Sequence, residues 1–160
     1  GEVMGIGATF GEAFGKAQQA ANMALPSTGN AFLSVRDADK PAAIELGHLL
    51  INQGFRIIAT QGTAAALREA GVECQRVNKV GEGQPHIVDM IKSDEIDLII
   101  NTTEGKQAIG DSYMIRTNAL NHRVAYTTTM AGAHAAVMAL ADTGTGDVRR
   151  LQDLHRECKV

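Results

Sequence analysis

The chain of 160 residues is poor in aromatic residues and cysteine and has no excess of basic residues, and each of these shortages argues against a class of function. A net charge of −3 with 4% aromatic residues provides no basic surface with stacking side chains, which argues against nucleic acid as a partner. Cys74 and Cys158 lie far apart without the spacing of metal ligands, as is typical of a reduced cytoplasmic protein. No apolar run approaches membrane-spanning length, so no membrane partner is expected.

The segment 1–24 is expected to form a unit apart from the rest, followed by a linker at 25–30. Thr9 and Glu12 have the spacing of a capping box at a helix start. The apolar face of this helix has little nearby in sequence to bury it, as expected for the last helix of a preceding domain. Because the sequence opens on Gly1 in mid-pattern, without a signal sequence, we expect a piece of a longer polypeptide.

From residue 31 onward, short apolar segments alternate with helical segments. The apolar segments predict five strands, and helices follow them, one of them from about residue 111 to 120. This alternation predicts an α/β fold with a five-stranded parallel Rossmann-like sheet in three layers. A last amphipathic helix, with Leu151, Leu154 and Val148, is expected to pack against the sheet. The predicted strands are 31–35, 55–59, 73–77, 96–100 and 124–126.

The segment around Thr60 gives the clearest indication of ligand binding. An apolar strand leads into Thr60, Gly62 and Thr63, and an alanine-rich helix follows, ending at Gly71. The first N–H groups of a helix favour an anion, and Gly62 lacks the Cβ that would keep a ligand from the backbone. Two interpretations stay open: a loop that holds a phosphate, or a turn without a ligand in which Thr63 is the N-cap.

Residues that follow the other predicted strands should meet at the same edge of the sheet, because ligands bind outside the carboxyl ends of parallel strands. Lys40 precedes Pro41 at a helix start, where a cation opposes the helix dipole by about 0.3–1 kcal/mol. It is therefore either a phosphate ligand or a solvated surface lysine. Lysines, threonines and asparagines dominate this edge and supply donors that suit a phosphorylated ligand. Its polar residues are Arg36, Asp37, Asp39, Lys40, Asn78, Lys79, Asn101, Thr102, Thr103, Lys106, Thr127, Thr128 and Thr129.

No catalytic set is predicted. The five histidines are scattered along the chain, Cys74 is expected to be a small core residue, and Asp97 lies inside an apolar strand, where a structural role is expected. The sequence is richer in binding groups than in catalytic groups.

Six motifs in order resemble a known family: GEVMGIG (1–7), LSVR (33–36), ATQGT (59–63), VNKV (77–80), GQPH (83–86) and IINTT (99–103). Together they resemble the C-terminal end of the large subunit of bacterial carbamoyl phosphate synthetase, over essentially the whole chain. Residues 1–24 resemble the tail of the second ATP-grasp synthetase unit, 25–30 a linker, and 31–160 the allosteric nucleotide-binding domain. The resemblance implies the methylglyoxal-synthase-like fold.

The resemblance implies a regulatory site and no catalytic residue in this part of the enzyme. In that family UMP, an inhibitor, and IMP, an activator, bind in one overlapping pocket. The phosphate would lie among Lys40, Thr60, Thr63 and Lys79, next to Gly62.

The nucleoside end of the ligand would face a second group of residues. Asn101, Thr103 and Asp111 would lie on the ribose and base side, and Ser34 is carried over from its motif. Lys106 stands where the family often has arginine, so it keeps the charge but loses the bidentate fork.

Further partners are implied by the resemblance alone. Ornithine, an activator in the family, would bind beside the segment Tyr126, Thr127 and Thr128, although threonine replaces the family's aspartate at Thr127. The rest of the large subunit and a glutaminase small subunit would be protein partners in an oligomer. No cofactor is expected in this fragment, whereas the full ATP-dependent ligase would use ATP with Mg²⁺ or Mn²⁺, and K⁺.

A lyase is the alternative on the same fold. A methylglyoxal synthase acting on dihydroxyacetone phosphate needs a carboxylate base beside the phosphate loop. Gln84 stands at that position, and Glu82 is displaced from it. The sequence therefore predicts a phosphate site that binds without cleaving.

Overall fold

The structure, a computed structural model, describes residues 2–142, 148 and 150–157, with the side chains of all of these except 106–108 and 157. Helices and strands alternate between residues 29 and 141. A short 3-10 turn, Asp37–Asp39, links the first strand to the second helix. The helices are α1 (Phe10–Ala20), α2 (Lys40–Asn52), α3 (Gln61–Glu69), α4 (Ile87–Lys92), α5 (Lys106–Asn121), α6 (Met130–Ala141) and α7 (Leu151–Glu157). The strands are β1 (Gly29–Ser34), β2 (Phe55–Thr60), β3 (Gln75–Val77), β4 (Leu98–Asn101) and β5 (Ala125–Thr127).

The five strands form one parallel sheet in the order β3-β2-β1-β4-β5. β1 lies at the centre, where Ala31 is opposite Ile57 of β2 on one side and Leu98 of β4 on the other. Parallel neighbours need crossover connections, which accounts for the alternation of strands and helices along the sequence. The predicted α/β fold with a parallel Rossmann-like sheet is confirmed.

Asp97 fixes where the two central strands begin. Its Oδ2 accepts a hydrogen bond from the Asn30 N–H at 2.7 Å, and its own N–H donates to the Asn30 carbonyl at 2.9 Å. β1 accordingly begins at Gly29, inside the predicted linker, and β4 begins later than predicted, at Leu98. The structural role predicted for Asp97 is confirmed.

Helices cover both faces of the sheet and give the fold its three layers. α2, α3 and α6 pack on one face through Leu46, Leu67 and Val137. α4 and α5 cover the other face through Ile91 and Ile115. Burying one large apolar side chain stabilises a fold by about 1.5–3 kcal/mol, so the strands form a rigid support for the polar residues at their ends.

α1 packs against α6. Thr9 caps α1 as predicted, because its hydroxyl accepts a hydrogen bond from the Glu12 N–H at 3.1 Å. Gly11 is buried against α6, where an added Cβ would lie 2.8 Å from the carbonyl oxygen of Met138. The two helices therefore approach each other through glycine, and the aromatic ring of Phe10 remains 59% exposed.

The prediction that α7 packs against the sheet is wrong for two of its three residues. Val148 is 96% exposed and Leu151 is 58% exposed, whereas Leu154 is half-buried. A helix of two turns with two leucines has too little apolar surface to cover a sheet.

Candidate functional site

A cavity opens between the carboxyl ends of β1 and β4. These strands are neighbours, but β1 leads to α2 on one face of the sheet and β4 leads to α5 on the other. The two exits diverge and leave a crevice, which is where ligands bind in open α/β sheets. The cavity has a volume of about 350 Å³, within the range of small-molecule sites.

Buried polar side chains support this cavity. Thr60, Thr63, Asn101 and Thr102 are the buried polar or charged residues in the described part of the chain, and all four lie at the carboxyl end of the sheet. Burying a polar group costs free energy unless it is hydrogen-bonded, so a concentration of such groups at one edge needs a cause other than core packing.

Hydrogen bonds between side chains hold the floor of the cavity. The Thr60 hydroxyl donates to Ser34 Oγ at 3.1 Å, which leaves the Ser34 hydroxyl with its own proton to donate. Asn101 Nδ2 donates to Ser112 Oγ at 3.1 Å and so joins the end of β4 to α5. Donors and acceptors are thereby held at fixed positions.

Two threonines hold the backbone where β1 ends. The Val35 N–H donates to Thr63 Oγ1 and the Arg36 N–H donates to Thr102 Oγ1, both at 3.1 Å. Thr63 is therefore not the N-cap of α3, and that interpretation is wrong. Thr60 is the N-cap by position, and its own hydroxyl points to Ser34 instead of to the helix.

Lys40 lies beside the first turn of α3. Its Nζ is 3.8 Å from the point where a Cβ on Gly62 would be, and 2.8 Å from Asp37 Oδ1. The lysine side chain is 28% exposed and pairs with an exposed carboxylate, so both interpretations of Lys40 stay predictions. A cation and the N-terminus of a helix meet here, and both favour negative charge.

Lys79 adds a second cation to the same side. It lines the cavity from the loop after β3, where its N–H donates to Glu82 Oε2 at 3.0 Å. The hydrogen bond and the charge of Lys40 lower the pKa of the Asp37 carboxyl, and the charge of Lys79 lowers it further. The positive charges of Lys40 and Lys79 therefore both act on the space around the Asp37 carboxylate.

Arg36 and Asp39 form a separate ion pair in the same turn. Arg36 Nε and Nη2 lie 2.8 and 3.4 Å from the two Asp39 oxygens. This hydrogen bond lowers the pKa of Asp39, with a further contribution from Thr102, and raises the pKa of Arg36. The ion pair links the two ends of the turn from Arg36 to Asp39.

The far side of the cavity is different in character. We define its apolar wall as Val80, Ile87 and Ile115, which come from the loop after β3, from α4 and from α5. Asp111 lies one helical turn before Ile115 and lines the cavity as well. An apolar surface beside polar groups suits a ring with polar edges.

Six residues of the predicted nucleotide site line the cavity, all within the described part of the chain: Ser34, Thr60, Lys79, Asn101, Thr103 and Asp111. Lys40 and Gly62 lie at the adjoining start of α3, and Thr63 supports β1 behind it. Lys106 begins α5, but its side chain lies outside those described. Tyr126, Thr127 and Thr128 lie at the end of β5 and are not among the residues that line the cavity.

Sequence reasoning missed several residues that line the cavity. Asp37 and Arg36 stood on the predicted edge without a role, and Ser112 is the neighbour of the predicted Asp111. Helical periodicity from Asp111 would have indicated Ile115, whereas nothing local indicated the apolar wall from α4. Thr102 was likewise expected at this edge without a role, and the residues that the sequence did not indicate are Val35, Val80, Ile87, Glu104, Ser112 and Ile115.

Among residues 2–142, 148 and 150–157, no group of three or more His, Cys, Asp or Glu side chains is placed to hold a metal ion. None of the helices described there has the length and apolar character needed to cross a membrane.

The chain matches the family model of the MGS-like domain over residues 42–128. Relatives from Pseudomonas syringae pv. tomato and Pseudomonas aeruginosa, both named carbamoyl phosphate synthase large chain, are 58% and 55% identical over 160 residues. Those alignments cover 100% of this chain and 15% of each relative. A third relative of that name, from Halomonas eurihalina, is 52% identical over an alignment of 158 positions, and the alignment covers 97% of this chain. The chain thus spans 15% of the length of these relatives.

A solved structure has a similar fold. The crystal structure of ForH matches with a TM-score of 0.55 and 22% sequence identity, over 74% of this chain and 81% of that one. At this identity the likeness concerns the fold alone.

Proposed function

Since the chain belongs to the MGS-like domain family, we propose that the cavity between β1 and β4 binds a nucleoside monophosphate as a regulatory ligand. The observation that carries this proposal is the position of Lys40, whose ammonium lies 3.8 Å from the Cβ position of Gly62, beside the first turn of α3. A phosphate at this point would gain from the lysine charge and from the helix N–H groups together.

The phosphate end of the ligand would bind between the first turn of α3 and two lysines. Backbone N–H groups of that turn would donate to phosphate oxygens, and Lys40 and Lys79 would supply charge. Because the Thr60 hydroxyl donates to Ser34, it does not compete for those N–H groups. Thr63 would contribute through its backbone, since its hydroxyl is bonded to β1.

The nucleoside end would bind between Asn101 and the apolar wall. Asp111 and Ser112 lie on α5 beside Asn101, where a carboxylate and a hydroxyl suit the ribose hydroxyls. Thr103 lines the same part of the cavity. The apolar wall would cover one face of the base, and neighbouring amide and hydroxyl groups would bind its edge.

The regulatory role is inferred from the relatives. They are named carbamoyl phosphate synthase large chain, and this chain spans 15% of their length, so we assign residues 31–160 to the allosteric part of such a chain. UMP would inhibit and IMP would activate, each by binding one state of the synthetase better than the other. Carbamoyl phosphate supply for pyrimidine and arginine synthesis would be the regulated quantity.

The remaining assignments concern the larger protein. Residues 1–24 would continue the preceding ATP-grasp unit, and α1 would transmit changes through its contact with α6. The rest of the subunit and a glutaminase small subunit would be the protein partners, in the cytoplasm. ATP, Mg²⁺ or Mn²⁺, and K⁺ would be used elsewhere in that subunit.

An ornithine site beside β5 is supported by one buried atom. Thr127 Oγ1 is buried and has no hydrogen-bond partner within the described part of the chain, and an ornithine that displaced the groups covering it would supply that partner. Tyr126 is half-buried next to it, and Thr128 is exposed. This site would be separate from the nucleotide cavity.

A lyase acting on dihydroxyacetone phosphate is disfavoured by the same geometry. Gln84 is exposed and is not among the residues that line the cavity, and a carboxamide does not abstract a proton. The hydrogen bond from Lys40 lowers the pKa of Asp37, which makes that carboxylate a weak base. Release of methylglyoxal by the purified chain would contradict the regulatory proposal.

Calorimetry with UMP and IMP tests the nucleotide proposal. We expect both to bind the wild-type chain, and Lys40→Ala to weaken UMP binding by about 10- to 100-fold, because a hydrogen bond to a charged group contributes about 1.5–3 kcal/mol. Lys92→Ala is the matched control, since Lys92 lies at the end of α4, away from the cavity. The proposal fails if neither nucleotide binds, or if Lys40→Ala binds as the wild type does.

A further inference from the structure

Asp37 lies at the point where the proposed phosphate would bind. Its Oδ1 is 2.8 Å from Lys40 Nζ, and Lys40 is the cation beside the start of α3. Asp37 also lines the cavity together with Lys79, whose charge acts on the same carboxyl. A carboxylate of this protein therefore uses the positive charge that a ligand phosphate needs.

The two carboxylates of the 3-10 turn differ in how firmly they are held. Asp39 is mostly buried and receives two hydrogen bonds from Arg36. The Asp37 side chain is 94% exposed and is paired with the ammonium of Lys40. Exposed ion pairs contribute little to stability, so Asp37 can leave Lys40 at small cost, whereas Asp39 cannot leave Arg36 as easily.

We infer that Asp37 competes with the ligand phosphate for Lys40 and so limits the affinity of the site for phosphorylated ligands. A phosphate that approaches Lys40 either displaces Asp37 or is repelled by its charge, and both lower the affinity. A nucleoside without a phosphate does not meet this cost. Asp37 thus reduces the preference of the cavity for nucleotide over nucleoside and raises the ligand concentration at which the site responds.

This inference rests on the proposed function, and a substitution separates the two. Asp37→Asn removes the charge and keeps the size of the side chain. We expect it to tighten UMP binding by about two- to tenfold, since an exposed ion pair is weak and relief of the repulsion between carboxylate and phosphate adds to its loss. Uridine binding should stay unchanged. Asp37→Ser is a second variant that keeps a side chain suited to turns.

Asp94→Asn is the matched control. Asp94 lies in the loop before β4, at the opposite edge of the sheet, and pairs with His122 at 2.9 Å. Its φ of 54° lies in the left-handed region, which asparagine tolerates. The variant changes the net charge by the same amount as Asp37→Asn, and UMP binding should not change.

Nuclear magnetic resonance titrations of the 160-residue chain with UMP and uridine decide the outcome. Tighter UMP binding in both Asp37 variants, with uridine equal to wild type or undetected in all proteins, supports the inference. Equal or weaker UMP binding in those variants overturns the inference and leaves the nucleotide proposal intact. The inference is also overturned if the Asp37 variants bind uridine more tightly to the same extent, or if Asp94→Asn binds UMP more tightly to the same extent. Absence of UMP binding in every protein overturns the nucleotide proposal itself.

Discussion

A cavity of about 350 Å³ opens at the carboxyl end of the sheet, and a groove of about 520 Å³ opens at its amino end. This amino-end groove is lined by the starts of β2 and β3, with Arg56, Cys74 and Gln75 among its residues. The buried polar residues of the described chain all lie at the other end. The two openings therefore differ in chemistry, and the carboxyl-end cavity is the better candidate site although the amino-end groove is larger, because buried polar groups are kept only where something compensates their cost.

The largest expected difference between the two ends follows from a carboxylate placed at the start of α3. Gly62→Asp should weaken UMP binding by about 100-fold or more, because the new charge takes the phosphate position. The fold should remain intact or gain about 0.3–1 kcal/mol, since an acidic residue in the first turn of a helix is favourable. Calorimetry and urea unfolding measure the two effects. Gln75→Asp makes the same charge change in the amino-end groove, and a similar loss there would remove the distinction between the ends.

Two asparagines allow a comparison of intermediate size. Asn101 Nδ2 donates to Ser112 at the carboxyl end, and Asn30 Nδ2 donates to the Glu95 carbonyl at 2.6 Å at the amino end. Replacing either with alanine should lower the free energy of unfolding by about 0.5–1.5 kcal/mol. UMP binding should weaken by about tenfold in Asn101→Ala alone, if an amide contact to the nucleoside is lost. Equal affinities in the two variants would place the ligand elsewhere.

The smallest expected effect concerns Cys74, studied in a Cys158→Ser background. Burial raises the pKa of the Cys74 thiol, so less thiolate is present at neutral pH than for a free cysteine. Labelling of Cys74 by a disulfide reagent should be slow in the native chain and fast in urea. In the native chain the labelling rate should still increase with pH in the range where the rate for a free thiol has reached its plateau. UMP should leave the rate unchanged; protection by UMP would indicate binding in the amino-end groove.

The sequence predicted the site residues whose position depends only on the strands being parallel. Thr60, Lys79 and Asn101 follow three different strands, and because all carboxyl ends meet at one edge, their convergence could be predicted without knowing the strand order. The order itself placed β1 beside β4 and put the cavity between Ser34 and Asn101.

Contacts between distant segments were not predictable in the same way. Thr63 was interpreted as an N-cap because the local pattern fits one, but its hydroxyl bonds to the backbone of Val35, which is 28 residues away. The helix expected from about residue 111 begins earlier, at Lys106, and includes Gly110. Local patterns do not report which partner a side chain meets after folding.

The hydrogen bonds that Thr63 and Thr102 accept at the end of β1 have a consequence for how such a site can change during evolution. They orient the turn that holds Asp37 and Lys40, and Thr63 does so from outside the residues that line the cavity. Replacing Thr63 with a residue that lacks a hydroxyl would shift the turn relative to α3 and so change the affinity of the proposed site, although Thr63 does not line the cavity. The ligand affinity of such a site can therefore change during evolution through substitutions behind the cavity, while the residues that line it stay the same.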